Sequence, residues 1–270
     1  MIWFKRFLTA CAALSLLLVI GFFTLAPQWV DRNANVVTGG AGPAPSAATL
    51  ALHQQLLVGD LHADSALWGR DLLTRHHWGQ VDLPRLIEGG AALQMFTTVT
   101  KSPRGQNYDR NASDAADNIT LLALAQRWPA AAYNSLFARA MLQAERVLTA
   151  TEDSSQLTLI RSQTDLSSLL SQRANGQQVV GALLGTEGSH ALDGELENID
   201  RLYAAGFRMM GLQHFFDNRL GGSLHGESQT GLTSFGIDAV KKMHAMDVMI
   251  DVAHSSEATV RDTLAATGNA

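Results

Sequence analysis

Five short apolar runs, separated by longer amphipathic stretches, constrain the fold of this chain more than any other feature. They span residues 56–62, 92–99, 179–186, 208–213 and 247–253. Helical patterns fill the spaces, in part of 111–150, in 196–206 and in 235–247. Strands that are apolar throughout and alternate with helices are typical of a parallel sheet covered by helices. The pattern therefore predicts an α/β fold, either a (β/α) barrel or a doubly wound sheet.

Composition removes several classes of function. The 270 residues have a net charge of -5, which argues against a nucleic-acid-binding protein. A single cysteine, Cys11, excludes an internal disulfide and a zinc site of the CxxC type. No GxGxxG sequence follows a predicted strand, so dinucleotide binding has no support. Any metal ligands are therefore expected to be His, Asp and Glu.

The N-terminal segment differs from the rest of the chain. Lys5 and Arg6 precede an uncharged run at 7–26, which is long enough to cross a bilayer as a helix. Because cytoplasmic flanks are rich in Lys and Arg, the body is expected on the periplasmic or extracytoplasmic side. We predict a transmembrane signal-anchor at 1–30, a flexible linker at 31–50 and one folded domain at 51–270. Secretion after cleavage of a signal peptide is the alternative.

Titratable side chains follow four of the predicted strands. His62 and Asp64 end the first run, Glu187 follows the third, His214 the fourth and His254 the fifth. The carboxyl ends of parallel strands meet on one face, so these side chains are expected to converge. Imidazole and carboxylate groups suit zinc, and a carboxylate can bridge two ions. The arrangement therefore predicts a metal site.

Three segments resemble the membrane dipeptidase (renal dipeptidase) family of zinc peptidases. They are GDLHAD, LLGTEGSHALDGELENIDRLYAAGFRMMGLQHFFDN and GLTSFGIDAVKKMHAMDVMIDVAHSS, in the family's order. The likeness runs from about residue 56 to the end, apart from a variable stretch at 101–175, and HFFDNRLGGSLHG is similar to the bacterial branch. The separation of 27 residues between Glu187 and His214 also matches the family. The implied fold is a (β/α)8 barrel of the TIM type.

The resemblance implies a role for each residue of the predicted site. His62 and Asp64 match the pair that binds one zinc, and Glu187 matches the carboxylate that bridges both zincs. His254 matches a histidine on the second zinc. His214 matches a catalytic histidine that binds substrate and polarises the scissile carbonyl without holding metal. The implied reaction is hydrolysis of a dipeptide by a bridging water that two zinc ions activate.

Two further residues are predicted to support this site. Asp60 is expected to steady the His62 and Asp64 pair, and His190, which closely follows Glu187, is a candidate for a similar supporting role. The expected partners are a dipeptide substrate, the membrane through the N-terminal segment, and a second copy in a homodimer. Nucleic acid is not expected as a partner.

The chain departs from the family's pattern at its C-terminal end. The family's second zinc has another histidine on the strand after His254, and a substrate-binding arginine and a proton-transferring aspartate also lie there. The chain stops at Ala270, with about five strands where a closed barrel needs eight. We therefore expect an incomplete barrel from a truncated dipeptidase. Its second zinc site is expected to lack a ligand, so that one zinc binds and hydrolysis is poor.

Two other functions remain open at this point. One is a different barrel metal hydrolase, such as an amidohydrolase, although those enzymes usually carry HxH where His62 and Asp64 form HxD here. The other is an inactive remnant or binding module, which only the truncation favours. Metal content and dipeptide hydrolysis separate these functions from a dipeptidase.

Overall fold

The computed structural model describes residues 2–38 and 42–268, which contain six strands and eleven α-helices. The strands are β1 (Val58–Ala63), β2 (Ala91–Val99), β3 (Leu157–Leu159), β4 (Val180–Glu187), β5 (Phe207–Gly211) and β6 (Met249–Asp251). The helices are α1 (Ile2–Thr24), α2 (Ala26–Ala34), α3 (Ala47–His53), α4 (Leu83–Glu88), α5 (Asn118–Ala125), α6 (Ala131–Asn134), α7 (Leu136–Asp153), α8 (Gln163–Ala174), α9 (Glu197–Ala205), α10 (Ser234–Ala245) and α11 (Glu257–Thr267). Residues 39–41 of the predicted linker and 269–270 of the predicted domain lie outside the described residues.

The strands form one curled parallel sheet, a half-barrel, in the order β1-β2-β4-β5-β6. Every strand pair is parallel. At least one α-helix lies between each two successive strands, as the alternation of patterns predicted. The prediction of an incomplete barrel-like α/β fold is confirmed, and each of the five predicted strands overlaps an observed one.

The sequence missed β3, which has only three residues, Leu157–Leu159. β3 pairs with the start of β4 at Val180–Ala182, whereas β5 pairs farther along β4 at Leu184–Thr186. A run of three residues is too short to show a strand period in the sequence.

The central strands are held by packing on both faces. β4 is buried along its whole length. On one face, α7 presents a buried stripe at helical spacing against the strand side chains, which include Phe96 and Leu184. On the other face, Met95, Leu183 and Met209 form a separate buried cluster. Because the middle of the sheet is close-packed, the positions of its strand ends are fixed.

The N-terminal helix α1 is a candidate membrane anchor or signal. It has 23 residues, its most apolar 18-residue window has a mean hydropathy of 2.3, and none of that window is buried. The following helix, α2, contacts the body through Asp31, which is buried. The Asp31 carboxylate accepts a hydrogen bond from Trp78 Nε1 at 2.9 Å and pairs with Arg70 Nε at 3.2 Å. Residues at the start of the predicted linker therefore contact the folded body.

Candidate metal centre

The predicted site residues lie at the carboxyl ends of four strands of the sheet, β1, β4, β5 and β6. His62 is in β1, Asp64 is the first residue after β1, and Glu187 is the last residue of β4. His214 and His254 lie in the loops after β5 and β6. Register between parallel strands therefore brings together residues that are far apart in the chain.

Glu187 lies at the centre of this group. Its Oε1 atom is 3.2 Å from His254 Nε2, 3.4 Å from His62 Nε2 and 3.5 Å from His214 Nε2. His62 Nε2 is also 3.5 Å from Asp64 Oδ1. Three imidazoles thus surround one carboxylate oxygen of Glu187, and Asp64 joins the group through His62.

The spacing of these atoms fits a divalent metal. Two groups, His62 with Asp64 and Glu187, and Glu187 with His214 and His254, each have ligand atoms within 4.8 Å of one another. Tetrahedral zinc with ligands at about 2.0–2.2 Å separates those ligands by roughly 3.3–3.6 Å. The separations of 3.2–3.5 Å lie at the long end of the range for hydrogen bonds and are close to that spacing.

Without a metal, these groups share protons and shift one another's pKa. The carboxylates of Asp64 and then Glu187 raise the pKa of His62 to about 10. Burial favours the neutral form of Glu187, but hydrogen bonds from His254 and His62 outweigh it and hold the pKa of Glu187 well below its usual range. Burial raises the pKa of Asp64. Because a metal binds only the deprotonated imidazole of His62, metal binding at this residue releases a proton.

The orientation of His214 is fixed by a backbone contact. His214 Nδ1 lies 3.2 Å from the carbonyl oxygen of Lys101, so Nδ1 carries a proton and donates it. Burial lowers the pKa of His214 and favours the neutral ring, despite the opposing charge of Glu187. In that form, Nε2 presents a lone pair towards Glu187. A lone pair suits a metal ligand, whereas polarising a substrate carbonyl requires protonated Nε2.

Sequence analysis missed two residues that position the site. Thr97 in β2 donates a hydrogen bond from Oγ1 to Asp64 Oδ1 at 2.5 Å. The Ser223 hydroxyl lies within hydrogen-bond distance of the carbonyl oxygens of His214 and His254. His254 has a φ of 62°, a left-handed conformation that a non-glycine residue adopts only when its surroundings hold it there. A threonine within an apolar strand was the one available signal.

The two predicted supporting residues have different surroundings. Asp60 is exposed and accepts a hydrogen bond from the backbone N–H of His62 at 3.2 Å, so its contact with the site is through the main chain. His190 packs edge-on against Phe216 with ring centroids 5.8 Å apart. Both ring nitrogens of His190 are buried, and no described residue hydrogen-bonds to them.

The burial of His190 predicts a pH dependence of stability. Burial, with the nearby charge of Lys101, lowers the pKa of His190 to about 3, whereas an unfolded histidine titrates near 6.5. Between these values the unfolded chain binds a proton that the folded chain does not, so stability falls as pH falls from about 6.5. Between pH 6.5 and 5 this effect should lower the free energy of unfolding by about 2 kcal/mol, and we expect His190→Phe to abolish that part of the decrease. Denaturant unfolding of both proteins at several pH values measures this, and parallel curves would contradict it.

Comparison with known proteins decides the family. A family model for membrane dipeptidase, peptidase family M19, matches residues 47–269. The chain belongs to this family. The resemblance found in the sequence is thereby confirmed, and the family is metal-dependent, in agreement with the two possible ligand groups.

Two solved structures and one sequence relative illustrate the similarity. The probable dipeptidase PvdM from Pseudomonas aeruginosa superposes with a TM-score of 0.61 over 81% of this chain and 52% of its own, at 16% identity. A metallopeptidase from Rhodobacter sphaeroides, liganded with a phosphinate mimic of the dipeptide L-Ala-D-Ala, gives 0.54 over 78% and 62%, at 19% identity. An uncharacterized protein in the pqqA 5' region of Klebsiella pneumoniae is 33% identical over 98 residues, 34% of this chain and 36% of that protein.

These likenesses extend over only part of each relative. The chain spans about half to three fifths of the length of the two solved structures and about a third of the Klebsiella protein. At 16% and 19% identity the solved structures support the fold, a barrel-type α/β architecture.

Proposed function

We propose that this chain belongs to a zinc-dependent dipeptidase in which Glu187 is shared by two metal positions. The observation that carries the proposal is the approach of three imidazole nitrogens to Glu187 Oε1 within 3.5 Å, at the carboxyl ends of the strands. Membership of the membrane dipeptidase family supports a dipeptide as the substrate. The relative that was solved with a phosphinate dipeptide mimic supports the same substrate class.

The proposed division of labour follows from the contacts. His62, Asp64 and Glu187 would hold the first metal, and Glu187 and His254 would hold the second. When bound, zinc supplies Lewis-acid chemistry and an activated water at neutral pH. His214 faces the same centre from a buried position and, once protonated at Nε2, donates to the oxygen of the scissile carbonyl.

The two metal positions are expected to differ in affinity. His62, Asp64 and Glu187 give the first position three protein ligands, the number that zinc sites normally require. Among the described residues, His254 and Glu187 give the second position two protein ligands, unless His214 serves as a third. We therefore expect one zinc to bind tightly and a second weakly, and dipeptide hydrolysis to be slow while the second position is empty.

A reconstitution experiment tests the proposed function. The chain is stripped with a chelator, reloaded with zinc, and assayed for metal content and for hydrolysis of L-Ala-L-Ala, L-Ala-D-Ala and a cyclic amide. We expect zinc to bind and dipeptide hydrolysis to depend on it. His244→Ala, which removes an exposed histidine of α10 outside the site, is the matched control and should behave as the unaltered chain. Zinc-dependent hydrolysis of the cyclic amide alone would instead support another amidohydrolase, and no zinc-dependent hydrolysis at all would refute the activity.

The apolar helix α1 predicts where the protein resides. Lys5 and Arg6 lie at its start, so we propose a signal-anchor with the folded body on the periplasmic side. The protein should stay in the membrane fraction after a high-salt wash, and external protease should reach the body in spheroplasts. A soluble mature protein that begins near residue 27 would show that α1 is a cleaved signal.

A further inference from the structure

A row of aromatic rings leads from the metal centre to the surface of the protein. The ring of His254, a proposed ligand, lies 5.1 Å from the rings of both Phe215 and His225. Those two rings stack on each other, with centroids 4.7 Å apart. The ring of Tyr108 meets both of them edge-on, at 5.5 Å from Phe215 and 5.8 Å from His225. Tyr108 is therefore separated from His254 by a single layer of rings.

The members of this row differ in their exposure to solvent. Phe215 and His225 are buried, whereas Tyr108 is 74% exposed. Single exposed aromatic side chains are common on protein surfaces, so exposure alone does not assign a role to Tyr108. What distinguishes Tyr108 is that the chain on both sides of it is held in place beside the metal centre.

His225 holds the backbone of Tyr108. His225 Nδ1 lies 2.7 Å from the carbonyl oxygen of Tyr108, and because a carbonyl oxygen only accepts, Nδ1 carries a proton and donates it. Asn111, which is buried, holds His225 in turn: its backbone N–H and its side-chain amide both donate to the His225 carbonyl oxygen, at 2.8 and 3.1 Å. These three hydrogen bonds fasten the loop after β2 to the loop after β5.

The turn that carries Tyr108 is also closed on itself. Asn107 Oδ1 accepts the backbone N–H groups of Asp109 and Arg110, at 3.0 and 2.6 Å. The Asn111 side chain donates to the Asn107 carbonyl oxygen at 2.7 Å and accepts the Asn107 N–H at 3.1 Å. Because the turn and its anchor are both hydrogen-bonded, the Tyr108 ring has little conformational freedom left to lose when a ligand binds.

We propose that the Tyr108 ring contacts a side chain of the dipeptide and favours aromatic substrates, and that His225 positions this ring. This proposal rests on the proposed function, because it needs a dipeptide at the metal centre. Two residues span about 7 Å when extended, so a dipeptide whose peptide bond lies beside Glu187 is long enough to bring a side chain to Tyr108. Edge-on and offset-stacked aromatic pairs are favourable, and a tyrosine gives up little side-chain freedom in forming one.

Calorimetry of ligand binding tests this proposal on the full chain in detergent, loaded with zinc. The probes are three phosphinate dipeptide mimics, one with two methyl side chains and two with a benzyl group in place of the first or the second methyl. We expect one benzyl mimic to bind more tightly than the dimethyl mimic. Tyr108→Ala should weaken that benzyl mimic about three- to tenfold, the usual worth of an aromatic pair, and change the dimethyl mimic by less than about twofold. Tyr108→Phe, which keeps the ring, should bind all three mimics as the unaltered chain does.

A matched control and the contradicting outcomes complete this experiment. Leu264→Ala shortens an exposed apolar side chain of α11 and should leave all three affinities unaltered. An equal loss for all three mimics in Tyr108→Ala, or an unchanged benzyl affinity, would overturn the role of Tyr108. Failure of every mimic to bind the unaltered zinc-loaded chain would refute the proposed function, and the role of Tyr108 with it.

The NMR signal of the Tyr108 ring tests the positioning role of His225. The chain has three tyrosines, so ¹³C-tyrosine labelling gives few ring signals, and Tyr108→Phe identifies the one from Tyr108. The benzyl mimic should shift this signal. His225→Ala should lose the shift and the benzyl preference but keep its zinc, whereas His225→Asn, which retains an N–H donor near the position of Nδ1, should keep most of both. A benzyl preference that survives in His225→Ala would show that His225 does not position Tyr108, and loss of zinc there would assign His225 to the metal centre instead.

Discussion

Glu187→Gln should abolish tight metal binding and, with it, hydrolysis of dipeptides. Gln has nearly the same shape as Glu but lacks the charge that the surrounding imidazoles and both proposed metals share. Loss of an outer partner of a metal ligand already costs about 10- to 100-fold in affinity, and loss of the shared ligand should exceed that. The measurement is a zinc titration against a competing chelator, followed by a hydrolysis assay.

Glu197→Gln provides the control for this experiment. Glu197 is an exposed carboxylate in the first turn of α9, outside the proposed metal centre, so its substitution should change neither zinc affinity nor hydrolysis. Tight zinc binding that persists in Glu187→Gln would contradict the shared position of Glu187. Circular dichroism of both variants shows whether a lost metal reflects a lost fold.

His214→Ala is expected to separate catalysis from metal binding. If His214 acts on the substrate, the first zinc stays bound and hydrolysis falls by about 10²- to 10³-fold, as on removal of an oxyanion donor. Burial favours the neutral ring of His214, with the lone pair of Nε2 towards Glu187, and this form suits a metal ligand. The variant therefore distinguishes a role on the substrate from a role as a ligand.

The metal content of the same variant decides the role of His214. Zinc affinity should match that of the unaltered chain and of His244→Ala, which removes an exposed histidine elsewhere. A selective loss of zinc in His214→Ala would mean that His214 is a ligand completing the group with Glu187 and His254. In that case the proposed assignment of His214 to the substrate is wrong.

Much of the fold could be predicted because strands and helices here follow local patterns. The apolar run that became β4 is buried on both faces, and its pattern alone indicated a strand of a parallel sheet covered by helices. The resemblance placed candidate ligands after that strand and its neighbours, and the structure brings Glu187 and His254 within 3.2 Å. Parallel register explains why strand-end residues could be grouped before their distances were known.

The remaining contacts depend on geometry that no local pattern reveals. The hydrogen bond from Thr97 to Asp64 requires the register of β1 on β2, and Ser223 reaches two histidines only through loop conformation. The contact of Asp31 with Trp78 joins residues 47 apart in the chain. Such contacts arise from tertiary packing and leave no sign in local composition. For this reason the sequence analysis predicted a linker from residue 31, although Asp31 of α2 contacts the folded body.

Anomalous diffraction at the zinc absorption edge tests the central claim most directly. Crystals of the zinc-loaded chain should show a strong peak between His62, Asp64 and Glu187, at coordination distance from all three. A second, weaker peak is expected between Glu187 and His254. A strong peak that lies away from Glu187, or no peak at the strand ends in a zinc-loaded crystal, would contradict the proposed metal centre.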